Sequence, residues 1–236
     1  MRLSKYIAKC GISSRRKSEE IIRSGYVIVN DIKILEPYFS IDPDIDIIKI
    51  HGKQINEDKK LLYIALNKPV GYLSDLNDPS GRKLARDLIE IDSSIFPVGR
   101  LDYNSEGLIV FTNDGDFANI LMHPRFSIEK EYLVKFKGRL GKEEILKLRN
   151  GVIIDKSLCK IKSIKFYASS INNNWYRVTI TEGRNRIIRK IGEKIHHRVL
   201  KLKRIRIGNI SLGNLLPGQY RFLTDKEIRP FKMPSI

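Results

Sequence analysis

Apolar positions near the start of the chain repeat with a helical period. Leu3, Tyr6, Ile7 and Cys10 share one face of a helix over residues 3–10, and Gly11 follows as its C-terminal cap. Ser13 and Ser14 are candidate N-caps for a second helix, which carries Ile21 and Ile22 on one side and ends at Ser24-Gly25. The period then changes. YVIVNDIKI places two β-rich runs around Asn30-Asp31, a hairpin, and IDIIKIHGKQI adds another strand and turn. Two helices and a small sheet thus occupy residues 1–60, with the polar NEDKK as a candidate linker.

A larger region, residues 61–236, opens with LLYIALNKPVGYLS, a strand running into a Lys-Pro-x-Gly turn. SIFPVG, GLIVFTND, KEYLVKFKG, SIKFYAS, NWYRVTIT and RIRIGNISLG read as further strands. Helices are expected at 84–90, 116–122, 141–149 and 184–194, the second capped by Asp116 and stopping before Pro124. Strands outnumber helices and short turns join many of them. The expected class is therefore α+β, with a mixed, mainly antiparallel central sheet flanked by helices.

Composition narrows the partner. The 236 residues are 42% hydrophobic, ample for a packed core, and carry a formal charge of +17 with a pI near 9.8. The cations are interleaved with Ile, Leu, Val and Phe, so folded surfaces carry the charge, and nucleic acid is the polyanion it suits. Cys10 and Cys159 lie far apart with no second ligand at metal spacing, which suggests neither a disulfide framework nor a metal site and fits a reducing cytoplasm. No signal peptide or membrane-length apolar run is present in the sequence.

Three stretches carry candidate chemistry. In SSRRKSEE, Arg15, Arg16 and Lys17 fall in the first turn of a helix, where the dipole disfavours cations and a phosphate would relieve the conflict. A solvated basic face, partly neutralised by Glu19 and Glu20, is the plainer reading. In GRLDYNSEGLIVFTNDG, Asp102 sits at a strand-loop junction, either as a turn former paired with Arg100 or as a rigid, accessible carboxylate. In TEGRNRIIRKIGEKIHHRVLKLKRIRIG, Arg184, Arg186, Arg189 and Lys190 crowd together without the ending of a Walker loop. On a helix Arg186 and Arg189 would share a face while Arg189 and Lys190 diverge, so that one can turn inward to a carboxylate as others meet RNA. His196 and His197 read as surface or packing residues. Tyr132, on a strand in EKEYLVKF, either packs or stacks on a base.

Taken in order, these stretches resemble the pseudouridine synthases that modify ribosomal RNA and carry an N-terminal S-four-type RNA-binding domain. RLSKYIAKCGISSRRKSEEIIRSGYVIVND resembles that domain, LNKPVGYLS the first catalytic motif, GRLDYNSEGLIVFTNDG the aspartate motif and EKEYLVKF the tyrosine motif. EGRNRIIRKI and LKRIRIGNISLG resemble the C-terminal ones. The resemblance implies Asp102 as catalytic carboxylate, Tyr132 stacked on the target base and Arg189 paired with Asp102. It implies RNA contacts from Arg15, Arg16, Lys17, Arg23, Arg100, Arg184 and Arg186, with no cofactor or metal. Ile187 stands where the family usually has Gln, and Lys190 where Arg is common, while the terminal KMPSI matches no motif. The LMHPR segment and the LIVFTNDG run look more like the large-subunit enzymes than the small-subunit one.

The implied reaction breaks the C–N bond between base and ribose and rejoins them through carbon. A buried Asp102 needs a close cation to stay ionised, and Arg189 would supply it. Asp102 would attack the anomeric carbon or remove the 2′ proton, and the uridine would be flipped out of its stack. The expected partner is ribosomal RNA or a ribosomal assembly intermediate, met by a cytoplasmic monomer. The alternatives are a non-catalytic RNA-binding assembly factor and a hydrolytic glycosylase that would release free uracil.

Overall fold

The computed structural model describes residues 1–57 and 60–232, so Asp58 and Lys59 of the NEDKK stretch and the last four residues of KMPSI lie outside the described residues. The chain divides into two compact units. One comprises Met1–Leu62 with the short segments Ile91–Ile95 and Asn113–Gly115, and the other Tyr63–Glu90, Phe96–Thr112 and the chain from Asp116 onward.

The first unit begins with α1 (Leu3–Lys9) and α2 (Arg15–Arg23), followed by β1 (Val27–Val29), β2 (Ile32–Ile34), β3 (Ile48–Ile50) and β4 (Lys53–Gln54). Of the two candidate caps for α2, Ser14 holds the position, its hydroxyl accepting from the Lys17 amide. Between β1 and β2, Asn30 and Asp31 both adopt positive φ, 48° and 65°, the requirement of a two-residue hairpin turn matched to strand twist. The antiparallel sheet runs β2-β1-β3-β4. Leu3, Tyr6 and Ile7 of α1 and Ile22 of α2 pack with Val27, Val29, Ile48 and Ile50 of the sheet.

The second unit is built on β5 (Tyr63–Lys68), β6 (Phe96–Val98), β7 (Glu106–Thr112), β8 (Lys130–Lys137), β9 (Val152–Ile154), β10 (Ser157–Cys159), β11 (Ser163–Ser170), β12 (Asn173–Ile180), β13 (Val199–Ile207), β14 (Ile210–Ser211) and β15 (Tyr220–Phe222). Its helices are α3 (Gly115–Met122, entered from the first unit's last segment), α4 (Lys142–Asn150), α5 (Ile187–Lys194) and α6 (Asp225–Ile228). The large sheet is ordered β11-β12-β8-β13-β7-β5-β15, with β14 on β13 and β6 on β7, and β9 and β10 form a separate hairpin. Among its described pairings, β13 with β7 is parallel and the others are antiparallel. This is the mixed, mainly antiparallel α+β architecture that the strand-rich pattern predicts. β5 is buried along its length, its apolar run Tyr63–Leu66 followed by buried Asn67 and Lys68, as a central strand covered on both faces requires. On one face Ala65, Leu108 and Val110 pack with Phe117 and Leu121 of α3 and Ile228 of α6.

Three expected helix assignments need correction. Over 84–90 there is only a 3-10 turn, Ala85–Leu88, because the Ala85 amide bonds the Leu73 carbonyl and Leu73 and Leu84 form an isolated bridge. The helix expected over 184–194 begins at Ile187. Arg186 is its left-handed N-cap at φ 53°, so Arg184 and Arg186 belong to a loop and not to the helical face of Arg189. α3 starts at Gly115, which puts Asp116 inside the first turn instead of at the cap. No expected element corresponds to β9, β10, β15 or α6. Each has only three or four residues of regular structure, too few for a period to stand out.

One glycine makes the central pairing feasible. Gly107 of β7 has φ 107° and is registered with Arg204 of β13. A Cβ at Gly107 would lie 2.2 Å from the Arg204 carbonyl oxygen and 2.7 Å from its amide nitrogen, a collision with backbone. Gly107→Ala should therefore destabilise the protein by at least about 2 kcal/mol, through backbone strain and the forced separation of β7 and β13. Denaturant unfolding checks this, and an unchanged midpoint would mean that the two strands part freely.

Candidate active site

Two neighbouring strands, β8 and β13, contribute to the wall of a cavity of about 630 Å³ in the second unit. Its wall includes Asp102 from the loop between β6 and β7, Lys130 and Tyr132 from β8, Arg204 from β13, and the loop that precedes α5.

The loop bearing Asp102 is held at several points. Gly99 turns the chain at φ 77° after β6. The Ser74 hydroxyl, itself buried, donates to the Leu101 carbonyl and accepts from the Leu101 amide, both at 3.0 Å. The Ser105 amide bonds the Asp102 carbonyl at 3.0 Å, and the Gly71 amide reaches the Tyr103 carbonyl at 2.9 Å. Asp102 is thus a turn residue whose carboxylate remains partly open to the cavity. Arg100 is not its partner: that guanidinium points to Asp75 at 3.7 Å.

The carboxylate meets Arg189. Nε of Arg189 donates to Oδ2 of Asp102 at 3.2 Å, Nη1 to the Val199 carbonyl at 3.3 Å, and Nη2 to the Asn104 carbonyl and the Ser105 hydroxyl, each at 3.1 Å. Four acceptors fix one planar guanidinium, which a lysine could not reproduce. The next residue on α5, Lys190, turns away to Asp155 in the β9–β10 turn. Arg186 lies at the rim with Nη1 3.8 Å from the same Asp102 oxygen, while Arg184 is engaged by Glu182 and the Ile154 carbonyl. Ile187 is buried and lines the cavity at the start of α5.

Tyr132 is 7% exposed and lies on the same cavity. It is registered opposite Arg204 of β13 and Val178 of β12. Below the site, buried Lys68 donates to the carbonyls of Pro69 and Tyr72, both at 2.8 Å, and so pins the Lys-Pro-x-Gly turn. In the first unit Arg15, Arg16, Lys17 and Arg23 are all exposed along α2, with Arg23 also 3.6 Å from Glu19.

Several participants have no role in the sequence reading. Lys130 was legible in principle, since it stands two residues before Tyr132 and strand periodicity puts both on one face. Ser74, Ser105 and Arg204 lie inside the LNKPVGYLS, GRLDYNSEGLIVFTNDG and LKRIRIGNISLG stretches, but which residue of each stretch matters is set by partners distant in the chain.

A carboxylate clamped by arginine, a tyrosine and several cations thus share one cavity, an arrangement that suits an anionic, aromatic ligand. The chain belongs to the RNA pseudouridylate synthase family, whose model matches residues 62–194, and is an enzyme that isomerises uridine in RNA. It is 37% identical to an uncharacterised RNA pseudouridine synthase of Aquifex aeolicus, over 97% of this chain and 92% of that one. It is 38% identical to the ribosomal large subunit pseudouridine synthase B of Bacillus subtilis, over 97% and 94%. A crystal structure of a pseudouridylate synthase superposes with a TM-score of 0.70 at 25% identity, covering 98% of this chain and all of that one.

Lys68 gives the site a pH signature in stability. Burial lowers its pKa to about 8 from the ordinary 10.5, opposed by Asp102 and Glu106 and reinforced by Arg204. Between those two values the unfolded chain binds the proton and the native state does not, so this residue makes stability rise as pH rises through the window. Lys68→Met should flatten that rise, measured as urea midpoints at about pH 7 and about pH 10. An identical pH dependence in the variant would contradict it.

Proposed function

We propose that the chain converts uridine to pseudouridine in ribosomal RNA, in that of the large subunit in preference to the small, with Asp102 as the essential carboxylate. The observation that carries the role of Asp102 is its pairing with Arg189 at the cavity that Tyr132 also lines. The guanidinium donates to the carboxylate and holds it at a fixed angle. From there Asp102 acts on a flipped nucleotide in one of two ways. It attacks the anomeric carbon as a nucleophile, or it takes the 2′ proton and leaves a glycal. Tyr132 supplies the stacking surface that the base loses on leaving its helix. The large-subunit preference is supported by the Bacillus subtilis relative that bears that description.

The first unit is proposed as the S-four-type RNA-binding domain, spanning residues 1–60, with residues 61–236 as the catalytic domain. Arg15, Arg16 and Lys17 sit exposed in the first turn of α2 with no acidic residue among them, where phosphates would be held by side chains and free amides together. Arg23, Arg100, Arg184 and Arg186 are proposed as further RNA contacts, Arg184 in a supporting part because Glu182 engages it. The enzyme would work as a cytoplasmic monomer on ribosomal RNA or an assembly intermediate. A silent pocket in a purely RNA-binding assembly factor is disfavoured by the four hydrogen bonds spent on orienting Arg189.

Carbodiimide labelling with primer extension, on unmodified large- and small-subunit ribosomal RNA, tests the reading. Wild-type protein should create a new stop in the large-subunit RNA, and Asp102→Ala should abolish it. A stop confined to small-subunit RNA would overturn the preference, and tight binding without any stop on naked RNA or assembly intermediates would overturn the ribosomal assignment. Replacing Arg15, Arg16 and Lys17 together by Gln should weaken binding and reduce the slope of log K against log salt by roughly 2–3, the loss of up to three phosphate contacts. An unchanged slope would remove α2 from the interface.

A further inference from the structure

The cavity holds two cations that the pairing of Asp102 with Arg189 leaves without employment. Lys130 precedes Tyr132 by two residues on β8 and Arg204 stands opposite Tyr132 on β13, so both flank the tyrosine on the cavity side. Arg204 is 3% exposed; its Nε donates to the Leu108 carbonyl at 2.7 Å, while its buried Nη2 has no hydrogen-bond partner in the protein. An unmet guanidinium nitrogen in such a place is costly to retain unless a ligand meets it. The Lys130 ammonium reaches the Ile128 carbonyl at 3.3 Å, a long bond for a group with three donors.

Nearby carboxylates do not neutralise them. Asp75 and Asp102 face Arg100 and Arg189. Glu129 and Glu131, which flank Lys130 in the chain, are bound by Arg206, with Lys162 and Arg177 beside them. Consistent with this, burial and the adjacent Arg204 charge hold Lys130 below the ordinary lysine range.

Two uncompensated cations at the edges of a stacking tyrosine suit a flat ring that becomes negative during the reaction. We infer that Lys130 and Arg204 are the leaving-group cations of this site, bound to the carbonyl oxygens of uracil while its glycosidic bond is open. The inference rests on the proposed function and is independent of the route Asp102 takes. In the nucleophilic route a carboxylate oxygen bonds to C1′ as the C1′–N1 bond breaks. In the elimination route the 2′ proton passes to the carboxylate as the C1′–C2′ double bond forms. In both, the electron pair of the broken bond stays on N1 and spreads to O2 and O4, and no proton reaches the base in that step. The two cations balance that charge, and they keep the freed uracil in place while it turns to present its carbon.

The test uses large-subunit ribosomal RNA transcribed with uridine or wholly with 5-fluorouridine, which yields a more stable leaving anion. Single-turnover reaction is read by nuclease digestion and chromatography as loss of the nitrogen-linked nucleoside. The carbon-linked product is pseudouridine from uridine, whose C5 loses its proton, and from 5-fluorouridine a nucleoside that keeps fluorine at C5 and takes up water across its N1=C6 bond. For Lys130→Met the uridine rate should fall about 100-fold with RNA affinity within about twofold, and the fluorouridine rate should fall roughly tenfold or less. Lys130→Arg should recover much of the uridine rate. Equal losses on both substrates, or no loss, would overturn the inference while leaving the enzyme reading intact. If the methionine variant loses RNA affinity through misfolding, Lys130→Gln and Arg204→Lys are read by the same ratio of the two substrates. Wild-type protein that converts neither RNA would remove the ribosomal reading, and this inference with it.

Discussion

The pairing of Asp102 with Arg189 is the constraint around which the second unit is arranged. The two residues are 87 positions apart in the chain, one in a loop after β6 and the other on α5. Neither can be placed by local structure alone. The loop is fixed by Ser74 and by the turn that Lys68 pins, and the guanidinium by the Val199, Asn104 and Ser105 acceptors. A network of this kind is worth most when complete, because each buried donor left unmet costs more than one bond gains. Ser105 illustrates the point: its buried hydroxyl accepts from Arg189 at 3.1 Å and donates to Oδ2 of Asp102 at 3.5 Å, so that one side chain holds both members of the pair.

Strand periodicity made much of this architecture readable. The short helices with Leu3, Tyr6 and Ile7, the Asn30-Asp31 turn and the long runs of β5, β7 and β8 follow from spacing and turn chemistry. The site was readable only in part. The divergence of Arg189 and Lys190 is a helix property and could be seen in advance, yet a helix drawn from residue 184 puts Arg186 on the wrong kind of backbone. Arg186 is left-handed, at φ 53°, as the N-cap of a helix that begins only at Ile187, a start that no window of TEGRNR expresses. The resemblance of the ordered motifs supplied the expected role of Asp102, but it singled out none of Ser74, Ser105 and Arg204 within those motifs, because their partners lie 27 to 96 residues away.

Charge has two separate uses in this chain. Outward-facing lysines and arginines account for the formal +17 and suit a polyanion met through solvent, where each contact is screened and sensitive to salt. The cations inside the cavity work under different rules. Burial makes Lys68 and Lys130 easier to deprotonate, and Arg204 adds to that pressure on both. A protein that merely gripped RNA would place such groups on its surface, where hydration is retained.

Gly107 joins these requirements. The parallel step from β7 to β13 brings the strand that follows the Asp102 loop against the strand that carries Arg204, and it is close enough only because residue 107 has no side chain. Across β13 lies β8 with Tyr132 and Lys130. Tyr132, Lys130 and Arg204 are therefore set by two adjacent strands, and the Asp102 loop is tied to them where it enters β7. Rigid elements define such geometry more closely than loops do, which matters when bond breaking and bond making must occur at different atoms of one captive ring. The backbone approach at Gly107 thus constrains where the Asp102 loop meets the strand of Arg204 as much as it constrains the sheet.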